Sequence, residues 1–319
     1  MSISVLGSGA FGTALAISLA RNGSPITLWS RNAREAAAMQ ESRRTGGRLP
    51  DFPLPNEVTV TSDSKAFGAQ LCLIAVPTQF LPDLLDDLPQ GAGRALIACC
   101  KGVDRTTGLG PVATIRKHHP TATAAILTGP SFAIDIAQGL PTALTLATES
   151  ETDARSLQAT LNRPLLRLYR STDVIGAELG GALKNVIALA AGIAIGAGLG
   201  DSARASVIAR GFSELGRFAS AKGARTETIQ GLSGLGDLVL TCTSEKSRNF
   251  ACGVALGKGE AIDPDTTVEG LASAPTVARE AEGLTLDIPL IRAVSDVVTG
   301  RIDIPGAIET LLARPVGTE

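Results

Sequence analysis

Along the first half of the chain, short apolar runs alternate with stretches of helical periodicity. Ile3–Leu6, Pro25–Ser30, Val58–Thr61, Leu71–Val76, Ala95–Cys99, Ala124–Thr128 and Thr142–Thr148 read as strands. Ala10–Arg21, Ala33–Arg44 and Phe80–Leu88 read as helices, and another helix begins near Ser131. A loop rich in Gly, Pro and Arg spans Thr45–Asn56. Repeated βα units of this kind build a mainly parallel, doubly wound sheet with helices on both faces. After about Val174 the β-branched runs stop, and Ala/Leu/Ile-rich segments take over at Ile175–Ala197, Ala203–Ala221, Val268–Glu282 and Leu290–Thr299. Turn chemistry interrupts them at Gly231–Gly236 and Asp263–Pro264. The expected fold is therefore α/β over residues 1–173 and all-α over residues 174–319.

Composition narrows the function classes. The 319 residues suit two cores rather than one. Apolar residues make up 44 %, enough for both, whereas aromatics make up 3 %, which is poor material for stacking on nucleic-acid bases. A net charge of −2 gives no global basic surface for nucleic acid or anionic lipid. Cys72, Cys99, Cys100, Cys242 and Cys252 are odd in number and lack CxxC spacing, so they read as reduced, mostly buried thiols of a cytoplasmic protein. The N-terminus has no basic segment ahead of its apolar run and does not read as a signal peptide. The uncharged run from Asn185 to Gly200 is shorter than the roughly 20 residues of a spanning helix and contains several glycines. It reads as a buried core helix.

Chemistry first enters at Gly7-Ser-Gly9-Ala-Phe-Gly12, a GxGxxG placed between a strand and a helix. In that setting the first glycine permits a tight turn, the second lets the backbone approach a pyrophosphate, and the third lets helix and strand pack closely. The helix N-terminus then offers its N–H groups to phosphates. The first domain is accordingly expected to be Rossmann-like and to bind a dinucleotide. The second strand ends Leu28-Trp29-Ser30-Arg31-Asn32 with no acid before Glu35. Arg31 there suits a 2′-phosphate, so NADP(H) is favoured and NAD(H) remains possible.

A nicotinamide oxidoreductase also needs a proton carrier. His118 and His119, adjacent in a polar stretch before Pro120, read as solvated. No Cys/His constellation has the spacing of a catalytic metal site. Lys184 is the only charge between Glu178 and Asp201, and a lysine in so apolar a segment pays desolvation. It is the expected proton carrier, unless it serves only as a structural ion-pair partner. Asp237, in the glycine-rich turn Gly234-Leu-Gly236-Asp237, could position it or cap a helix. Ser247-Arg248-Asn249 offers a hydroxyl, a guanidinium and an amide, apt for a phosphate.

At this point the chain resembles the bacterial-type NAD(P)-dependent glycerol-3-phosphate dehydrogenases. The ordered landmarks are Gly7–Gly12 with Thr13-Ala-Leu-Ala16; Ala75-Val-Pro-Thr-Gln79; Lys101-Gly102; Gly129-Pro-Ser-Phe-Ala133; Glu178-Leu-Gly-Gly-Ala-Leu-Lys184-Asn-Val186; Gly234–Leu238; Ser247–Asn249; and Val268-Glu-Gly270. The resemblance covers nearly the whole chain. It implies reversible reduction of dihydroxyacetone phosphate to sn-glycerol 3-phosphate for phospholipid synthesis. It implies Lys184 as proton donor and acceptor, and substrate contacts from Lys101, Gly129, Ser131, Asp237, Ser247, Arg248 and Asn249. It also implies cofactor contacts from Ala10, Phe11, Arg31, Lys101, Ala133, Arg248, Thr267 and Glu269 beside the loop glycines.

Two departures are Ser202, where asparagine is usual in the family, and Phe250, where a basic residue is frequent. The expected arrangement places the substrate in a cleft between the domains, no metal, and a homodimer with no nucleic-acid partner and no membrane insertion. A β-hydroxyacid-type dehydrogenase is disfavoured, because Gly180 and Lys184 match its Gly-x-x-x-Lys-x-x-x-Asn pattern but Ala188 stands at the Asn position. A non-catalytic NADP(H) sensor would share the glycine loop but would have no use for a buried Lys184.

Overall fold

The computed structural model describes residues 2–104, 106–262 and 268–315. They form two compact units, Met1–Glu178 and Leu179–Glu319. The first holds β1 (Ile3–Leu6), α1 (Ala10–Ala20), β2 (Ile26–Trp29), α2 (Ala33–Ser42), β3 (Val58–Thr61), β4 (Leu71–Ile74), α3 (Leu81–Asp87) and β5 (Ala95–Ala98). It continues with α4 (Pro111–His118), β6 (Thr123–Thr128), α5 (Ala133–Gln138), β7 (Thr142–Ala147), α6 (Glu151–Leu161) and β8 (Leu166–Ser171).

The strands make one eight-stranded sheet in the order β3-β2-β1-β4-β5-β6-β7-β8. The first six run parallel, with Ile3 opposite both Ile26 and Leu71. β7 is antiparallel to β6 and parallel to β8. β1, β4 and β5 are buried along their whole length, as strands covered by helices on both faces must be. One apolar cluster joins Val5, Leu15, Leu28, Leu73 and Leu144, and a second joins Leu6, Ile74, Leu85, Leu96 and Ile126. The order reverses between β1 and β4, and Gly7 and Ala75 follow those two strands directly. That is the switch point at which open parallel sheets bind ligands.

The sheet holds one strand more than the apolar runs indicate. β8 alternates Leu166 and Leu168 inward with Arg167 and Tyr169 outward, the pattern of a half-exposed edge strand rather than of a buried run. α6 begins at a Ser150 cap that accepts the Asp153 N–H at 3.2 Å. The histidines are not solvated. His119 is 2 % exposed with Nε2 2.8 Å from the Leu85 carbonyl oxygen. His118 ends α4 and holds Asp86 at 2.8 Å. Both tie α4 to α3, because the stretch before Pro120 is the end of a helix and not a loop.

The second unit contains helices and no strand among the described residues. Its elements are α7 (Val174–Gly196, which starts in the first unit), α8 (Gly200–Ala221), α9 (Thr226–Gln230), α10 (Asp237–Cys242), α11 (Arg248–Gly257), α12 (Glu269–Gly283), α13 (Pro289–Val298) and α14 (Ile304–Leu312). The two compact units divide inside α7, and Val174 and Ala177 pack in the apolar core of the first. At 23 residues α7 is, by length and composition, long and apolar enough to cross a bilayer, but it reaches that length only by including Glu178 and Lys184 ahead of the shorter uncharged run. Its most apolar window is nevertheless 78 % buried inside the protein, as in a core helix. Gly231–Gly236 is a π-type helical turn over Leu232–Gly236 that leads straight into α10. The expected turn at Asp263–Pro264 lies outside the described residues.

All five cysteines are free and buried. Phe250 is a core residue of the second unit, packed with Leu189 and Phe218, which accounts for its apolar character.

Candidate active site

In the first unit, the glycine loop has a form only glycines permit. Gly7 adopts φ +120°, and a Cβ there would lie 2.7 Å from the Ala75 carbonyl oxygen. A Cβ on Gly12 would lie 2.0 Å from the Gly7 carbonyl oxygen, so helix and loop touch at backbone distance. Gly9, by contrast, faces open space, with nothing within 4 Å of its Cβ direction. α1 starts at Gly9 with no side-chain cap, leaving its first-turn N–H groups, those of Ala10 and Phe11 included, for an external acceptor. Two glycines are tight and the middle one is open towards a helix N-terminus, and this fits a pyrophosphate.

Arg31 is exposed just beyond β2 and lies 5.5 Å from the centre of the Phe80 ring, a cation–π contact. Lys101, Gly129 and Ser131 meet at one carbonyl. Lys101 Nζ donates to the Gly129 oxygen at 3.5 Å, and Ser131 Oγ donates to the same oxygen at 3.2 Å. Gly129 has φ +135°, so a side chain there would be strained. Thr78 Oγ1 donates to the Lys101 carbonyl at 2.7 Å and fixes that loop. Ala133 opens α5, half-buried.

In the second unit, Lys184 is 7 % exposed and Asp237 is 1 % exposed. The Lys184 ammonium donates to Asp237 Oδ1 in a short ion pair, and to Thr241 Oγ1 at 2.9 Å. Local packing enforces this pairing. Four residues before Lys184, a Cβ on Gly180 would lie 2.5 Å from the Ser233 carbonyl oxygen, so α7 and the π-type turn touch at their backbones. One turn further along each segment, Lys184 and Asp237 come together. Thr241 also donates back to the Asp237 carbonyl at 2.6 Å. Burial pushes the neighbouring Cys242 thiol up to about 12, so it stays protonated beside the lysine.

A chain of amides runs alongside. Gly270 N–H donates to Asn249 Oδ1 at 2.8 Å, Asn249 Nδ2 to Asn185 Oδ1 at 3.0 Å, and Asn185 Nδ2 to Glu269 Oε2 at 2.7 Å. Ser247 caps α11 by accepting the Phe250 N–H at 3.3 Å, and Arg248 stays exposed with its guanidinium 3.9 Å from Glu269. The Ser-Arg-Asn triplet thus forms the start of a helix. Thr267 lies outside the described residues. Thr241 was not singled out from the sequence; its signal was its spacing, four residues after Asp237 on one helical face.

Fold and loop together define a dinucleotide-dependent oxidoreductase of the doubly wound class. Residues 2–154 match the family model for the NAD-dependent glycerol-3-phosphate dehydrogenase N-terminus, and residues 173–309 match that for its C-terminus. A glycerol-3-phosphate dehydrogenase [NAD(P)+] of Ruegeria sp. (strain TM1040) is 53 % identical over the full length of both chains. One from Roseobacter denitrificans is 54 % identical, again over both full lengths. A solved glycerol-3-phosphate dehydrogenase from Coxiella burnetii superposes with a TM-score of 0.90 at 34 % identity, covering 98 % of this chain and 99 % of its own. The chain belongs to the NAD-dependent glycerol-3-phosphate dehydrogenase family.

Proposed function

We propose that this protein catalyses the reversible reduction of dihydroxyacetone phosphate to sn-glycerol 3-phosphate, supplying glycerophospholipid synthesis in the cytoplasm. The observation that carries the reading is the buried Lys184–Asp237 pair in a family member whose glycine loop fits a dinucleotide. The nicotinamide, when bound, supplies the hydride. Lys184 supplies the proton to the carbonyl oxygen in reduction and takes it back in oxidation. Asp237 favours the ammonium form in a setting that would otherwise expel charge, and Thr241 helps fix its direction.

Arg248, with Ser247 and Asn249 at the start of α11, serves the substrate phosphate. Lys101, Gly129 and Ser131 complete the substrate contacts. Ala10, Phe11, Arg31, Lys101, Ala133, Arg248, Thr267 and Glu269 serve the cofactor with the loop glycines. Exposed Arg31, beside the Phe80 ring, supports a preference for NADP(H) over NAD(H). The helical residues 174–319 serve the substrate and form the surface of a homodimer.

Initial rates of NADPH oxidation with dihydroxyacetone phosphate test the reading. Lys184→Ala is expected to lose about two to four orders of magnitude in turnover while still binding NADPH. Activity within tenfold of the parent would remove Lys184 from this role.

A further inference from the structure

α2 opens with Asn32-x-x-Glu35, the sequence of a capping box. Asn32 fulfils its half, with Oδ1 accepting the N–H groups of Arg34 at 3.0 Å and Glu35 at 3.2 Å. In the usual box the glutamate returns to the backbone N–H of the cap residue. Here it does not. The Asn32 N–H donates to Ser30 Oγ at 3.3 Å, and Ser30 Oγ donates to Glu35 Oε2 at 3.2 Å. Ser8, the second residue of the GxGxxG loop, donates its hydroxyl to Ser30 Oγ at 2.7 Å.

The direction of this chain is fixed by chemistry. A backbone N–H only donates and an ionised carboxylate only accepts, so the Ser30 proton goes to Glu35 and the Ser8 proton goes to Ser30. The carboxylate is thereby drawn from the first turn of α2 to the residue that follows β2. In a doubly wound sheet that is where the acid accepting the adenosine 2′-hydroxyl is required. The sequence carries no acid at the strand end itself; Ser30 brings one there. Arg31 and Arg34, both exposed, flank the same point.

Resting on the dinucleotide reading above, we propose that Glu35, positioned by Ser30, is a specificity-determining residue: its carboxylate accepts the 2′-hydroxyl of NAD(H) and opposes the 2′-phosphate of NADP(H). The flanking arginines act in the opposite sense. The balance between carboxylate and guanidinium sets the ratio of the two cofactors.

The test is equilibrium binding of NADH and of NADPH, each followed by nicotinamide fluorescence without substrate, for the parent, Glu35→Gln and Ser30→Ala. Glu35→Gln keeps an oxygen for Ser30 and removes the charge. It is expected to weaken NADH and tighten NADPH, moving the ratio of dissociation constants by about tenfold or more, the scale of a hydrogen bond to a charged group. Ser30→Ala releases the carboxylate and is expected to move the ratio the same way by less. A ratio within twofold of the parent in Glu35→Gln, with both cofactors still bound, overturns the proposal and leaves the dinucleotide reading intact. Equal weakening of both cofactors assigns Glu35 to holding Ser30 in place alone and overturns it too. A parent that binds neither cofactor overturns the dinucleotide reading and this proposal with it.

Discussion

A lysine enters an apolar helix only if its charge is met there, and Lys184 meets both a carboxylate and a hydroxyl. Removing one member of a buried pair strands the other, at a cost of about 3–5 kcal/mol. Asp237→Asn is therefore expected to lower stability on that scale. It also removes the interaction that favours the ammonium form, so the alkaline fall of kcat/KM is expected to move to lower pH. Denaturant unfolding and a pH–rate profile measure the two effects, and an unmoved profile would separate Asp237 from the proton carrier. Lys184 was legible as a lone charge in an uncharged run, and Asp237 as an acid in a glycine turn. Neither signal says that the two touch. Their contact depends on Gly180 and the π-type turn bringing two backbones together, and nothing in local periodicity encodes that approach.

Between elements, the same device recurs at larger scale. Gly192 and Gly196 of α7 face Gly253 and Gly257 of α11, each pair spaced four residues apart. A Cβ on Gly192 would lie 2.1 Å from the Phe250 carbonyl oxygen, and one on Gly253 would lie 2.2 Å from the Leu189 carbonyl oxygen. The helices thus pack backbone to backbone, and an added methyl must push them apart. Gly192→Ala is expected to destabilise by about 1–3 kcal/mol or more, the cost of overpacking, despite a helix-propensity gain of up to about 1 kcal/mol. Gly216→Ala in α8, where nothing lies within 4 Å, is expected to keep only the gain and to stabilise. Urea midpoints of the two variants should move in opposite directions; matching shifts would refute the close-packing account. The long helices were legible because their apolar periodicity runs for several turns. β8, α4 and α6 were not, because short half-exposed elements carry little periodicity and depend on caps such as Ser150 and on packing against neighbours.

Over the whole molecule, the change from alternating strand–helix pattern to helices alone was legible in the sequence, but the protonation of its buried acids was not. In each unit a glutamate from one helix meets the N-terminus of another. Glu178 accepts the Val112 N–H of α4 at 2.7 Å, and Glu214 accepts the Leu290 and Ile291 N–H groups of α13 at 2.7 and 3.0 Å. Burial outweighs these bonds and pushes both carboxyls from 4.5 up to about 7. Between those two values the folded chain holds protons that the unfolded chain has released. The associated stability is fully present below about 4.5 and is lost as pH rises through about 7. The loss is on the order of 3 kcal/mol at most for buried Glu214, and less for half-buried Glu178. Glu214→Gln cannot ionise, and it keeps one accepting oxygen where the carboxyl offers each N–H its own. The variant is expected to gain stability over the parent at pH 8 and to show little or no gain at pH 4.5, measured as urea midpoints at the two pH values. A difference between variant and parent that does not change with pH would mean that Glu214 is ionised throughout and that its two N–H bonds outweigh its burial.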